Sequence, residues 1–537
     1  MKHSRRVLLA ILLLAALIRL YESHRFFYFD GDQSNDVAAV GQLAAALKAH
    51  AWGNLSAVGQ EGKFYYHSEF PQFENQPNVV YNGAAYYYVL LPAAILSSFH
   101  PYGIVVFLIL LSIGATLSLY IAGTLLIDRT TGILAALIHA VSFLILTYSR
   151  FIWTPSPVVS LSAIALASFV AILNGYVNYW VLLAVSVSLA TQIHNSGYLL
   201  LGFILTAIIM FRPKLPKSKT VIFGAIFVFI FPLLPTLWNE SNTDYLLPRA
   251  IIYQLSAHFA DAYAGIPVWQ IPLGLIKDGL QAFGQFTSLV LFHHGPWYGE
   301  LRQDNKFLLS FQMGLWVAGV LAVLWYRARL DVSLSDKKKR FVILFCLSIL
   351  MWAAIGTWLS KLYYQTDTAI FWLNGVSPFI PLTLFVFALL IRIFWQTSFL
   401  RVPLVMVLLS FAFFQGTATT NTFWQNTASD IMYGHQLQAL KIITDDSKGQ
   451  PYGLSVNSYS PFLPIDPILT LEHIQAPYVI NRIRACTISS TLKEKLPNYS
   501  LIFYPNDGTA TAFWISQHSG IKLFQGGNIA VYRSETK

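Results

Sequence analysis

Apolar runs recur along almost the whole chain, separated by short polar breaks. Many reach about 17 to 25 residues, the length a bilayer-spanning helix needs. They fall near 7–27, 104–126, 132–149, 156–173, 177–192, 196–211, 219–238, 307–325, 341–360, 374–392 and 399–416. A polytopic α-helical membrane protein with about eleven spans is therefore expected. The first run, "VLLAILLLAALI", follows "KHSRR" and has no small-residue cleavage site after it. That predicts a retained helix rather than a signal peptide.

The polar positions define the rest of the layout. Three long pieces stand between or after the spans, at 28–103, 239–306 and 419–537. The last changes character. It is polar, with a helical pattern in "DIMYGHQLQALKIITDD" and short β-type runs "YGLSVNSYS", "APYVI", "SLIFYPN", "IKLFQ" and "IAVYRS". The period shifts from 3.6 to 2 along it. The chain thus divides into a membrane part, 1–418, and a small C-terminal α/β domain, 419–537.

Composition agrees with the pattern. The chain is 55% hydrophobic and only 11% charged, with a mean hydropathy of +0.54. That is too apolar for a soluble globular protein. Its net charge of +10 is concentrated at 2–6, 212–219, 326–340 and 392–401. Basic loops stay in the cytoplasm. All four clusters share that side only if "GAAYYYVLLPAAILSSF" (83–99) does not cross the membrane. The N-terminus is then cytoplasmic and the C-terminal domain lies on the opposite, periplasmic side. The basic charge is a topology signal, and nucleic acid is not implied. Two cysteines, Cys346 in a span and Cys486 in the tail, form no metal motif.

Chemistry concentrates where the first span ends. "YFDGDQSNDVAAVGQLAAALK" places Asp30, Asp32 and Asp36 in quick succession, then an amphipathic pattern with Val37, Val40, Ala44 and Leu47 on one side. One carboxylate can cap the helix start. Asp32 and Asp36 are four residues apart and share a face, so they repel unless a metal, a cation or a moving proton uses them. Asp32 is read as a candidate general base. The two would also be the pair for a divalent metal, although nothing in the sequence completes its shell.

A short basic start, one span and then an aromatic-acidic "FDGD" resemble the GT-C membrane glycosyltransferases. The branch most similar is that of the protein O-mannosyltransferases and the lipid A aminoarabinose transferase. In that branch an aspartate of an Asp-Glu pair is catalytic, and the match falls on Asp32, with "DQ" in place of "DE". "YNGAAYYYVLLPA" is similar to the family's outer helix that lies along the membrane. The lysine that relatives keep before it is absent. "LIDRTTGILAALIHAVSFLILTYSRFIWTPSP" resembles the family's second-to-third span region.

The resemblance implies a GT-C fold in a bacterial inner membrane. It implies transfer of a sugar from a polyprenyl-phosphate donor to a lipid, glycan or protein acceptor on the periplasmic face, with inversion. A phosphate leaving group calls for waiting cations. Arg150 and Lys361, the latter beside Tyr364, are the candidates. His194 in "QIHNSG" is a candidate hydrogen-bonding or lipid-phosphate ligand. His67, Glu69 and Glu74 in "FYYHSEFPQFENQP" lie in a stretch of sugar-binding type, and His293 and His294 in "FHHGPWYGE" fit an acceptor or lid segment. No P-loop or Gly-x-Gly-x-x-Gly fingerprint is present. The rival readings are a transporter or flippase of lipid-linked sugars, a polysaccharide polymerase or ligase, and a non-catalytic scaffold.

Overall fold

The computed structural model describes residues 2–24, 27, 31–51, 58–63, 79–242, 252, 256, 259–260, 264–267, 270–292, 336–364, 373–395, 401–420, 433–447, 453–458, 498–503, 521–526 and 529–533. Helices dominate. In chain order they are α1 (Lys2–Leu20), α2 (Gly31–Lys48), α3 (Ala85–Leu96), α4 (Pro101–Leu126), α5 (Arg129–Val141), α6 (Phe143–Arg150), α7 (Pro155–Leu173), α8 (Tyr179–Ile193) and α9 (Gly197–Phe211). After them come α10 (Lys219–Ile230), α11 (Leu234–Asn242), α12 (Ile271–Phe292), α13 (Asp336–Tyr364), α14 (Phe379–Phe394), α15 (Arg401–Thr419) and α16 (Tyr433–Ser447).

Helices coincide with ten of the eleven apolar segments, and 307–325 lies outside the described residues. Among the described residues, 5 helices are long and apolar enough to cross a membrane, or 6 if the pair α5 and α6 is one span. That pair bends by 60° at Ser142. Its α1 neighbour ends at Leu20, short of the position the apolar run suggested. By contrast α3, the 83–99 segment, has 12 residues. Its length of about 18 Å is well under the hydrocarbon thickness of about 30 Å.

Local chemistry sets the helix starts. His100 caps α4 by accepting the Tyr102 N–H, with Pro101 at the first helical position. Asp128 caps α5 by accepting the Thr131 N–H at 2.8 Å. The α4–α5 crossing is close because both sides are glycine. A Cβ on Gly123 would stand 2.8 Å from the Gly132 nitrogen.

Helix α7 is almost wholly buried and, with α14, forms the middle of the bundle. Helices α10 and α11 turn outward along nearly their whole length, exposing Phe223, Phe227, Phe231 and Trp238. An apolar stripe of this kind suits contact with lipid. Helix α12 lies within 239–306, which the apolar pattern does not mark as a span. Lys277 and Asp278 interrupt its apolar pattern, yet Phe286, Val290 and Leu291 are buried, and it packs on α13, α14 and α15.

Two small sheets complete the fold. Strands β1 (Val58–Lys63) and β2 (Val79–Gly83) pair antiparallel. In the tail, β3 (Gly453–Ser458), β4 (Asn498–Phe503), β5 (Ile521–Gly526) and β6 (Ile529–Arg533) form a mixed sheet of order β3-β4-β6-β5. Its β3–β4 pair is parallel and the other two pairs antiparallel. Helix α16 packs on β5 and β6, and Arg533 Nη1 meets both Asp446 oxygens at 2.9 and 3.0 Å.

Candidate functional site

Polar side chains gather at the end of the bundle where α1 finishes and α2 begins. Asp32 sits in the first turn of α2. Its side chain, with Asp30, His67, Glu69, Glu74, His293, His294, Cys486 and the Tyr364 side chain, lies outside the described residues. Asp36, one turn on, is fully buried. It belongs to the inward stripe Gln33, Asp36, Val37, Val40, Leu43 and Ala46, spaced as a helix face requires. Ala44 and Leu47, expected on that face, lie at its flank.

Helix α3 supplies the facing surface. The buried Tyr86 phenol lies against Asp36, and its pKa is raised well above the usual tyrosine value, first by burial and then by the Asp36 and Tyr87 charges. The phenol therefore keeps its proton beside the carboxylate. This pair joins α2 to α3. Strand β2 leads into α3 through Gly83, where a Cβ would stand 2.5 Å from the Gln192 carbonyl oxygen at the end of α8. Only glycine allows that approach.

The α8–α9 turn is the next wall. Asn195 N–H donates to Asn82 Oδ1 at 3.2 Å. Gln192 Oε1 accepts from the Thr236 hydroxyl at 2.6 Å. His194 is buried, and burial pushes its pKa down to about 4, so its ring is neutral near pH 7. Its Nδ1 lies 2.8 Å from Ser196 Oγ, which meets Ser377 Oγ at 3.2 Å. Just before α14, Asn374 Oδ1 accepts the Tyr148 hydroxyl of α6 at 3.0 Å. These bonds bring the ends of α3, α6, α8, α9 and α14 together.

Lys361 stands in the last turn of α13 and is half-buried. Gly356, little more than a turn before it, faces Leu199 of α9 and Phe379 of α14. Lys361 therefore belongs to the same end of the bundle.

Arg150, the expected phosphate contact, is buried at the end of α6. Its guanidinium donates to three main-chain oxygens: Arg19 at 2.9 Å, Ile18 at 2.6 Å and Tyr21 at 2.7 Å. The last carbonyls of a helix lack partners within it. Arg150 supplies them, and its charge suits the negative end of the helix. It clamps α1 immediately before the acidic start of α2.

Two further polar residues escaped the sequence reading. Arg19, fully buried inside an apolar run, donates to the His139 and Ala140 carbonyls at 3.2 and 2.9 Å and to Ser112 Oγ at 3.1 Å. Gln415 of α15 accepts the Phe143 N–H at 2.7 Å and donates to the Leu291 carbonyl at 3.0 Å. The bend at Ser142 interrupts the helical ladder, and these two side chains satisfy the groups it frees. A polar residue buried within a span was the signal that could have found them.

Among the described residues, no group of three or more His, Cys, Asp or Glu could hold a metal ion. Cys346 is a free, buried thiol.

The solved structures to which this one is similar are glycosyltransferases of the GT-C class. They include the oligosaccharyltransferase of Archaeoglobus fulgidus, at 14% identity and a TM-score of 0.45 over 84% of this chain and 60% of that one. ArnT from Cupriavidus metallidurans bound to undecaprenyl phosphate matches at 10% identity and a TM-score of 0.46, over 98% and 97% of the two chains. The mycobacterial arabinofuranosyltransferase AftD matches at 12% identity and a TM-score of 0.39, over 99% and 42%. This chain thus spans about three fifths of the archaeal enzyme. No protein-family model matches it, and no curated protein matches it in sequence.

Proposed function

We propose that this protein is a membrane glycosyltransferase that moves a sugar from a polyprenyl-phosphate donor to a lipid, glycan or protein acceptor at the α2 end of the bundle. The observation that carries the proposal is the convergence there of the acidic start of α2 with the short helix α3 and the polar ends of α8, α9, α13 and α14. Asp32 is the general base. It removes the acceptor hydroxyl proton as the oxygen attacks the anomeric carbon. Attack opposite the phosphate leaving group gives inversion. Lys361 offers a cation to the phosphate as negative charge gathers on it. Asp36, sealed against Tyr86, holds α2 on α3 and does not move a proton to substrate. Arg150 fixes the end of α1, and so the point from which α2 starts.

This reading places the α2 end on the periplasmic side of a bacterial inner membrane, with the basic ends in the cytoplasm. A divalent metal is not required by the proposed step. Among the described residues, the bent α5–α6 pair is a feature a transporter would share. The freed main-chain groups at that bend are taken by Arg19 and Gln415, as in a fixed joint. The test is transfer of labelled sugar from polyprenyl-phosphate donors in membranes, with wild type and Asp32→Asn. Transfer that is lost in the variant supports the proposal. Transfer that survives in the variant at normal expression overturns the assignment of the base.

A further inference from the structure

Three side chains around the α8–α9 turn keep hydrogen-bonding capacity that no group among the described residues uses. His194 is the best defined. The Ser196 N–H points at its Nδ1 from 3.1 Å. An N–H can only donate, so Nδ1 is the acceptor and the ring proton sits on Nε2. The tautomer follows from the hydrogen-bond network. Among the described residues only Ser196 partners the ring, through Nδ1. The Nε2–H is neither bonded nor sealed in, although the residue as a whole is only 8% exposed. Asn195 uses its main-chain N–H on Asn82 Oδ1, and its own side-chain amide bonds to none of the described residues. That same bond fixes Asn82, whose amide nitrogen also has no partner among the described residues. Both asparagines are half-buried.

An ordinary turn would need none of this. The main-chain groups of the turn are already satisfied by Nδ1 of His194 and Oδ1 of Asn82, so the remaining donors are surplus to the fold. All partners of the three residues are neutral. A phosphate draws arginine or lysine, whose charged donors make stronger bonds. Hydroxyl groups both donate and accept, and a side-chain amide does the same.

We propose that the α8–α9 turn is a sugar-recognition site, in which His194 Nε2–H and the side-chain amides of Asn195 and Asn82 bind the ring hydroxyls of the transferred sugar. The inference rests on the glycosyltransferase reading and adds to it the part of the donor that these residues contact. His194 is thereby a fixed donor and not an acid or base in the reaction. The site reads hydroxyl positions, so it contributes to which sugar is accepted.

The experiment compares two probes on the full chain in lipid nanodiscs: a bare polyprenyl phosphate and the same lipid carrying each of a panel of hexoses and pentoses. Binding is measured for wild type, His194→Ala, His194→Gln and Asn195→Ala. Wild type should hold one glycosylated lipid more tightly than the bare one. Each alanine variant should weaken that lipid by about three- to tenfold, the contribution of one neutral hydrogen bond, and leave the bare lipid unchanged. His194→Gln, whose amide nitrogen reaches the Nε2 position, should stay within about twofold of wild type. Equal weakening of both lipids would make this a phosphate contact and overturn the proposal. So would no weakening in either alanine variant, or a wild type that binds all glycosylated lipids no better than the bare one. Asn195→Ala, at a half-buried position, gives an answer even if His194→Ala fails to fold. If wild type binds neither probe, the donor class itself is wrong and the site falls with it.

Discussion

At the scale of single residues, burial decides what each ionisable group can do. Asp32 and Asp36 look alike in the sequence, four residues apart on one helix. The fold separates them by turning Asp36 into the α2–α3 seam against Tyr86. Tyr86→Phe removes the proton that the buried carboxylate faces. It should cost about 1–3 kcal/mol of stability, read by unfolding in detergent. His194 carries a pH signature. Its folded pKa is depressed from 6.5 to about 4 by burial, so the unfolded chain binds a proton that the folded chain refuses between those values. Stability is fully present above about pH 6.5 and falls as the pH drops toward 4, by roughly 3 kcal/mol in all. His194→Gln should flatten that acid limb, and an unchanged limb in the variant would contradict the assignment.

At the scale of elements, the joints between helices are polar and specific. Asp128 caps α5 and binds Arg392 of α14 through Nε at 2.9 Å and Nη2 at 2.6 Å. Burial alone would raise its pKa, but the bonds from Arg392 and Thr131 outweigh that and hold it below the usual carboxylate range. Its contribution is present at neutral pH and is lost as the pH falls through the lowered value. Asp128→Ala removes cap and ion pair together and should lower stability by about 1–2 kcal/mol, whereas Asp128→Asn, which keeps the cap, should cost less. Gln415→Leu should orphan the Phe143 N–H and the Leu291 carbonyl, each at about 1–3 kcal/mol. Faster amide exchange at Phe143 would locate the damage.

Most of these helices were legible in advance, because length and apolar continuity mark a span. The joints were not legible. Arg19 reads as an ordinary residue near a span end until α5 arrives beside it, and Gln415 lies 272 residues from the N–H it binds. Arg150 shows the limit most clearly. An arginine among aromatics at a helix end suits a phosphate by residue type, and nothing near it in sequence announces the α1 carbonyls that it binds. Long-range partners of this kind leave no local pattern.

At the scale of the whole molecule, the account is one of sidedness. Val7 and Ile133 pack against one cluster of α1 and α5 residues near the starts of those helices, and Arg392 joins α14 to Asp128 at that same end. The other end gathers Asp36, Tyr86, His194, Ser377 and Lys361. Bulky thiol reagents applied outside intact cells should therefore label a cysteine placed at Asn195 and spare one placed at Arg401. In the proposed reading the acid at the start of α2 gives this sidedness its chemical purpose, and Asp32→Asn in the membrane transfer assay tests it most directly. A positioned base contributes about 10²- to 10⁴-fold. The account predicts sugar transfer from a polyprenyl-phosphate donor by wild type and a loss of that size in a variant that still folds. Wild-type rates in Asp32→Asn, or no transfer by wild type from any such donor, would contradict it.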